Sequence, residues 1–143
     1  MLKIRDYEKG DIYRTVVSGM ENILREYVND DSVLIENGYT ALYGDRIVAC
    51  AGLKKLWGDV YEAWLSIDEE SKNDYKIAMA IVRVLKKSLD DPVLEKVQRV
   101  GAHVSVSIPN HKHFMSLLGF KPEAVLKNYF PNRTDCVVYR RGE

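Results

Sequence analysis

The sequence lacks the features that mark membrane, disulfide-rich and strongly charged proteins. Its two cysteines, Cys50 and Cys136, show neither metal-ligand spacing nor a disulfide framework, which favours a reducing cytosol and two core residues. No apolar run approaches the roughly 18 residues of a transmembrane helix, and the N-terminus has no apolar stretch of signal-peptide length. The net charge is zero, so whole-molecule electrostatics favour neither nucleic acid nor a membrane. We therefore expect a cytoplasmic protein.

The composition that remains is ordinary for a globular protein. Hydrophobic residues make up 46% of the chain and charged residues 29%. There is no internal repeat, low-complexity tract or linker, and 143 residues are enough to bury a sizeable core. These features predict a single domain over residues 1–143.

The spacing of apolar residues predicts alternating strands and helices. The predicted elements are a strand at 2–5, a helical region from about Asp11 to Asn29, strands at 39–43, 46–53 and 60–67, a helix at about 74–89, a strand at 100–108, a short helix from Asn110 to the LLGF at 117–120, and strands at 123–130 and 134–141. The order is β-α-α-β-β-β-α-β-α-β-β. A helix that joins two strands predicts one parallel crossover in a mixed sheet, which is an α/β or α+β class.

Three local signals mark the ends of these elements. Gly44-Asp45 lies between two strand-like runs and predicts a two-residue hairpin turn. Gly119 follows the short helix and predicts a left-handed residue just beyond its C-terminus. Asn110 precedes that helix and is typical of an N-cap.

Several motifs in this order resemble the GNAT superfamily of acetyl-CoA-dependent N-acetyltransferases. KIRDYEKGDI (3–12) is similar to its first strand and helix start, LYGDRIVACAGL (42–53) to its second and third strands, and NHKHFMSLLGFKPEAVL (110–126) to a later conserved block. EAWLSI (62–67), VQRVGAHVSVSI (97–108) and DCVVYRR (135–141) look most like divergent bacteriophage and prophage members. The resemblance implies a GNAT-like fold and transfer of an acetyl group to an amine.

The resemblance also implies a place for the coenzyme, at the turn SIDEESKNDYKIA (66–78). Family members receive the pyrophosphate of coenzyme A on an Arg/Gln-x-x-Gly-x-Gly/Ala turn, where backbone N–H groups at a helix start bind the anion. Here the turn has four acids and no glycine. One alignment places Asn73, Lys76 and Ala78 at the motif positions and the other places Lys72, Tyr75 and Ile77 there. The resemblance further implies cofactor contacts at Leu65, Ser66 and Ile67, and at Asn110 and Met115.

The same turn has a plainer interpretation. Ser71 and Asp74 have the spacing of a capping-box pair, which uses the backbone donors that a phosphate would need. Acids near a helix start are stabilised by its dipole, but they repel an incoming phosphate. The sequence leaves open an ordinary capped helix and a working but weakened coenzyme site.

The candidates for acid–base chemistry are few. In many family members a tyrosine four residues before the LGF glycine protonates the leaving thiolate, but this chain has Met115 there, which has no proton to donate. Glu62 is a candidate base, or an exposed strand glutamate. His103 is a candidate base or substrate contact, or part of a solvated face. The resemblance implies that the two strands carrying Glu62 and His103 splay apart around the acyl-pantetheine arm.

Other polar and aromatic residues have a default and a functional interpretation. His111 and His113 have no acidic or cysteine partner nearby, so we expect surface residues and no metal site. The aromatics of the final hairpin are packing residues or line an acceptor pocket: Tyr129, Phe130 and Tyr139. Its cations form a solvated surface or meet an acidic partner or nucleic acid: Lys127, Arg133, Arg140 and Arg141.

Two functions follow from these observations. The first is an N-acetyltransferase that uses acetyl-CoA to acetylate an amine on a small molecule or protein. The second is a GNAT-fold protein without catalysis, serving as a phage or prophage accessory or virion-associated protein. The complete element order favours the first function, whereas the acidic turn and Met115 favour the second.

Overall fold

A computed structural model gives the fold and describes residues 2–14, 38–68, 71, 74–108 and 110–141. The strands are β1 (Leu2–Asp6), β2 (Gly38–Tyr43), β3 (Arg46–Trp57), β4 (Val60–Ile67), β5 (Arg99–Ser105), β6 (Phe120–Leu126) and β7 (Cys136–Arg141). The α-helices are α1 (Tyr75–Leu89) and α2 (His111–Leu117), and short 3₁₀ helices span Asp11–Arg14 and Pro92–Lys96. Within the described residues, none of the helices is both long and apolar enough to span a bilayer.

The strands form one mixed sheet in the order β1-β2-β3-β4-β5-β7-β6. The pairs β1/β2, β2/β3, β5/β7 and β6/β7 are antiparallel, and β4/β5 is parallel. A parallel pair needs a crossover, and α1 lies in the chain between β4 and β5. The predicted class, a mostly antiparallel α+β sheet with one parallel crossover, is confirmed.

The parallel pair is short. Only Val60, Tyr61 and Glu62 of β4 are in register with β5, opposite Arg99, Val100 and Gly101. From Gly101 to Ser105, β5 pairs with β7 on its other side. Glu62 is therefore the last β4 residue in this register, and His103 follows its partner Gly101 by two positions.

The chain divides into two compact units, Met1–Lys54 with Ala63–Ile81, and Lys55–Glu62 with Val82–Glu143. In the first, Tyr7, Ile12, Ile47 and Cys50 form a buried cluster, with Leu42 and Trp64 packed against it. Beside this cluster the buried Asp11 accepts two hydrogen bonds from the Arg5 guanidinium (2.7 and 3.1 Å) and one from Thr40 Oγ1 (2.6 Å). Its charge is thus compensated, as a buried carboxylate requires.

In the second unit Arg141 of β7 donates hydrogen bonds to the C-terminal ends of both α-helices. Its Nη1 donates to the carbonyl of Leu89 at 2.9 Å and its Nε donates to the carbonyl of Leu118 at 3.0 Å. The last carbonyls of a helix have no partner within it, so a guanidinium placed there satisfies them. Asp90 pairs with the same guanidinium.

Some predicted boundaries are right and others are wrong. Gly44 has φ 65° in a two-residue turn, and Gly119 follows α2 with φ 85°, so both turn predictions are confirmed. The β5 strand ends at Ser105, short of the predicted residue 108, because the Ile108 N–H turns back to the Ser105 carbonyl (3.2 Å). Asn110 occupies the N-cap position with φ 58°, but its side chain makes no capping hydrogen bond. Of the predicted helical region 11–29, residues 15–29 lie outside the described residues.

Candidate functional site

The start of α1 is capped by a carboxylate. Asp74 Oδ1 accepts the backbone N–H of Lys76 at 3.0 Å and that of Ile77 at 3.3 Å. The N–H groups of the first turn have no partner within a helix, and an aspartate just before the helix supplies one. The negative charge is also stabilised by the helix dipole.

A second acid supports the chain just before this helix. Asp68 is buried, and its Oδ1 accepts the Ser71 N–H at 2.8 Å. Its other oxygen lies 3.4 Å from Arg46 Nε, and the Arg46 guanidinium also reaches the Ser71 hydroxyl at 3.5 Å. Both oxygens of this buried carboxylate thus have partners, Ser71 in the turn and Arg46 at the start of β3.

These contacts confirm an acid-capped helix start, but the predicted capping pair is wrong. Asp74 caps α1 itself, whereas Ser71 receives its carboxylate partner from Asp68, three residues earlier. The amides of Lys76 and Ile77, which a pyrophosphate would need, already bind Asp74. With Asp74 in place, this turn does not fit the pyrophosphate of coenzyme A. Lys72 and Asn73 lie outside the described residues.

The other predicted cofactor residues differ in exposure. In the first unit Ser66 and Ile67 are buried at the end of β4, while Leu65 and Ala78 are half-buried and Tyr75 is exposed. In the second unit Met115 is buried on α2 and Asn110 is exposed before it. Their roles toward a coenzyme remain predictions.

The two predicted catalytic residues lie side by side. Glu62 Oε1 contacts His103 Nδ1, and both side chains are partly accessible, at 27% and 34% of their surface. The β4/β5 register explains the contact, because Glu62 is opposite Gly101 and His103 lies two residues further along the same face. A carboxylate on Nδ1 fixes the ring orientation and, of the two neutral tautomers, selects the one that carries its proton on that nitrogen.

The segment before β7 packs against this pair. The Tyr129 ring stacks on His103 with centroids 5.5 Å apart, and Phe130 meets Tyr129 edge-on at 5.1 Å. Phe130 is 7% exposed and Tyr129 is 51% exposed, so Phe130 is a packing residue and Tyr129 presents part of its ring to solvent. The Ser105 hydroxyl, further along β5, lies 2.8 Å from that of Ser107 and 2.9 Å from that of Thr134.

His111 is part of a second pair, which the sequence did not indicate. Its Nδ1 lies 2.8 Å from the hydroxyl of Tyr139, a residue that is 1% exposed. Burial lowers the pKa of His111, with a further contribution from Lys112, and burial raises the pKa of Tyr139. His111 is therefore half-buried and paired, where an exposed residue was expected, while His113 is exposed. The two partners are 28 residues apart in sequence, so no local signal could pair them.

Neither cysteine is suited to nucleophilic chemistry. Cys50 and Cys136 are both buried and reduced, which confirms them as core residues. Burial raises the pKa of Cys50 to about 12, and burial also raises the pKa of Cys136. Both thiols are therefore protonated at neutral pH. Within the part of the chain that the structure describes, no three potential ligands converge as a metal site.

Most cations of the terminal hairpin are paired with acids. Lys127 contacts Asp135 at 3.1 Å, Arg140 contacts Glu123 at 3.2 Å, and Arg141 pairs with Asp90. Arg99 of β5 donates to both oxygens of Glu123, at 2.6 and 3.1 Å. The predicted basic patch thus consists largely of intramolecular ion pairs.

Comparison with protein-family models and with curated proteins finds no match. Solved structures do match. The ribosomal-protein-S18-alanine N-acetyltransferase from Escherichia coli is 16% identical with a TM-score of 0.68, over 99% of this chain and 93% of that one. A GNAT family acetyltransferase from Elizabethkingia anophelis with acetyl-CoA bound is 15% identical with a TM-score of 0.65, over 99% and 98% of the two chains. A putative phosphinothricin N-acetyltransferase is 16% identical with a TM-score of 0.72, over the same shares. At these identities the likeness concerns the fold, and the predicted GNAT-like fold is confirmed.

Proposed function

We propose that this protein is an N-acetyltransferase that moves an acetyl group from acetyl-CoA to an amine. One observation carries the proposal: on a GNAT fold, an accessible glutamate on β4 contacts the imidazole of a histidine on β5. An amine is protonated at neutral pH and must lose a proton before it can accept an acyl group, so the reaction needs a base. The Glu62–His103 pair supplies one.

The contact assigns different roles to the two side chains. Glu62 accepts a hydrogen bond from Nδ1–H and compensates the positive charge that His103 gains when it is protonated. The other ring nitrogen, Nε2, is then left with a lone pair to take the proton of the amine. Tyr129, stacked on the imidazole, restricts its rotation. Acetyl-CoA would supply the activated acetyl group, and the chain's own pair would prepare the acceptor.

The acceptor in this proposal is an alkyl amine. Its ammonium form is attracted by the Glu62 carboxylate, and the exposed part of the Tyr129 ring offers an aromatic surface that a cation prefers. On the donor side Leu65, Ser66, Ile67 and Ala78 of the first unit stay proposed contacts. Asn110 and Met115 of the second unit are separate proposed contacts. Because Asp74 already binds two amides of the helix start, we propose that donor affinity is weak.

The test is a turnover assay with acetyl-CoA and a panel of primary amines. The release of free thiol gives the rate, and mass spectrometry identifies the acetylated amine. We expect His103→Gln to lower kcat by about 100-fold or more, which is the usual loss when a general base is removed. His113→Gln is the matched control, because it removes an exposed histidine on α2. Equal rates for the wild type and H103Q would overturn the proposed mechanism.

A second candidate is favoured by the carboxylate at the start of α1. A GNAT-fold protein that does not bind coenzyme could serve as a phage or prophage accessory or virion-associated protein, and Asp74 on the Lys76 and Ile77 amides suits such a role. Thermal unfolding separates the two candidates. A ligand at 100 times its Kd stabilises a protein by about 2.7 kcal/mol. The second candidate predicts no shift even at millimolar acetyl-CoA, and no acetylated product.

A further inference from the structure

We infer that Asp74 is a built-in anion that occupies the phosphate position at the start of α1, and that replacing it strengthens binding of coenzyme A. The inference deepens the proposed function and takes only the identity of the donor from it. It explains how a chain with the fold of acetyl-CoA-binding proteins can have a glycine-free, acidic turn.

The first step is the competition for donors. A phosphate at a helix start is held by backbone N–H groups of the first turn, and here those of Lys76 and Ile77 donate to one oxygen of Asp74 at 3.0 and 3.3 Å. A bound phosphate and the Asp74 carboxylate cannot both accept these hydrogen bonds. Phosphate binding therefore requires either that the Asp74 side chain move away from the two amides, or that the phosphate bind without their hydrogen bonds.

The second step is charge. Tyr43, Arg46, Asp74 and Ile77 line an open cavity of about 490 Å³ at this helix start. Arg46 is the cation of this lining, but its guanidinium lies 3.4 Å from the buried Asp68 carboxylate. The Arg46–Asp68 pair is neutral, so Asp74 gives the four lining residues, taken together with Asp68, a net negative charge. That charge faces any phosphate entering the cavity.

The third step is that two substitutions of Asp74 separate the effect of the occupied amide donors from the effect of the negative charge. Asn caps a helix nearly as well as Asp, so Asp74→Asn removes the charge but leaves an oxygen on the two amides. Gly is also tolerated at this position and has no side chain, so Asp74→Gly removes the charge and frees both amides. If both effects oppose binding, affinity rises in the order wild type, D74N, D74G.

The experiment is isothermal titration of the full chain with coenzyme A, for the wild type and both variants. We expect D74G to bind coenzyme A at least about tenfold more tightly than the wild type, with D74N between them. The control variant is Asp45→Asn, which removes an exposed acid in the β2–β3 turn and is expected to leave the affinity unchanged. The control ligand is pantetheine, which lacks phosphate and is expected to show no gain.

The outcomes separate this inference from the proposed function, because binding is measured without turnover. If D74G gains affinity for coenzyme A but acetylates no amine, the inference stands and the proposed function fails. Equal affinity in the wild type and D74G, or no binding by either, would overturn the inference. So would an equal gain for D45N, or for pantetheine, because the effect would then not arise at the phosphate position.

Discussion

The start of α1 and the paired ends of β4 and β5 use an acidic side chain in different ways. At the helix start, Asp74 is bound to two backbone amides and acts as part of the helix. On β4, Glu62 faces an imidazole, and the pair stays partly open to solvent. The difference lies in the nearest hydrogen-bond donor. A carboxylate beside the first amides of a helix accepts their hydrogen bonds and caps the helix, whereas a carboxylate beside a histidine can assist proton transfer. Substitutions should therefore change stability at one place and turnover at the other.

The largest effect is expected at Glu62. Glu62→Gln keeps the shape of the side chain but removes the charge that stabilises protonated His103, so we expect kcat to fall by about 100-fold with little change in melting temperature. Glu123→Gln is a matched control, because Glu123 also pairs with a β5 cation, Arg99, and is proposed to have no catalytic role. If E62Q and E123Q have the same kcat, the distinction between the two regions is wrong.

An effect of similar size, on stability, is expected at Asp11, an acid with a structural position. Asp11→Ala removes the buried acceptor that the Arg5 guanidinium and the Thr40 hydroxyl share. We expect a loss of about 3 kcal/mol in the free energy of unfolding, the lower end for a broken buried pair because the Arg5 side chain is 32% exposed. Urea denaturation measures the loss. A change below about 1 kcal/mol would show that the network contributes little.

The same carboxylate makes stability depend on pH in a definite direction. Burial alone would raise the pKa of Asp11, but hydrogen bonds from Arg5, Thr40 and the Glu8 backbone outweigh it and lower that pKa. Asp11 therefore stabilises the fold above its unfolded pKa of about 3.9, and this contribution is lost as the pH falls through the lower, folded value. We expect Asp11→Asn to flatten the acid side of the curve of unfolding free energy against pH. An unchanged slope would contradict this assignment.

The smallest effect is expected from the stability of the Asp74 cap. Asp74→Ala removes the acceptor of two amides and should cost about 1 kcal/mol of unfolding free energy. D74G should be less stable than D74N by only a few tenths of a kcal/mol, because glycine lets water reach the amides. Urea denaturation of the three variants gives both numbers. If D74A is as stable as the wild type, the carboxylate does not act as a cap.

Local patterns predicted much of this fold. Gly44 and Gly119 were predicted because each turn requires positive φ, and the β4–α1–β5 crossover was predicted from the period of apolar residues. Glu62 and His103 were chosen separately from strand alternation and the family resemblance. That they touch depends on the register of β4 against β5, which no local sequence feature specifies.

The errors have two causes: local hydrogen bonds that the residue pattern does not specify, and contact between residues distant in sequence. The alternating pattern continues beyond Ser105, but the strand ends there because the Ile108 N–H donates to the Ser105 carbonyl in a local turn. His111 follows a loop and looks like a surface residue, yet Tyr139 of β7 lies against it. The capping of Ser71 was assigned to the wrong acid because Asp68 and Asp74 are both three residues away, on opposite sides.

The central claim is that Glu62 holds the proton of neutral His103 on Nδ1 and leaves Nε2 free to act as a base. Nitrogen-15 NMR of the imidazoles tests it directly, since the chain has three histidines and the H103Q spectrum identifies the signals of His103. At about pH 9, above the ordinary range of imidazole titration, the account predicts a protonated Nδ1 and an unprotonated Nε2 for His103. A proton on Nε2 instead would contradict it, because that nitrogen would have no lone pair for the amine.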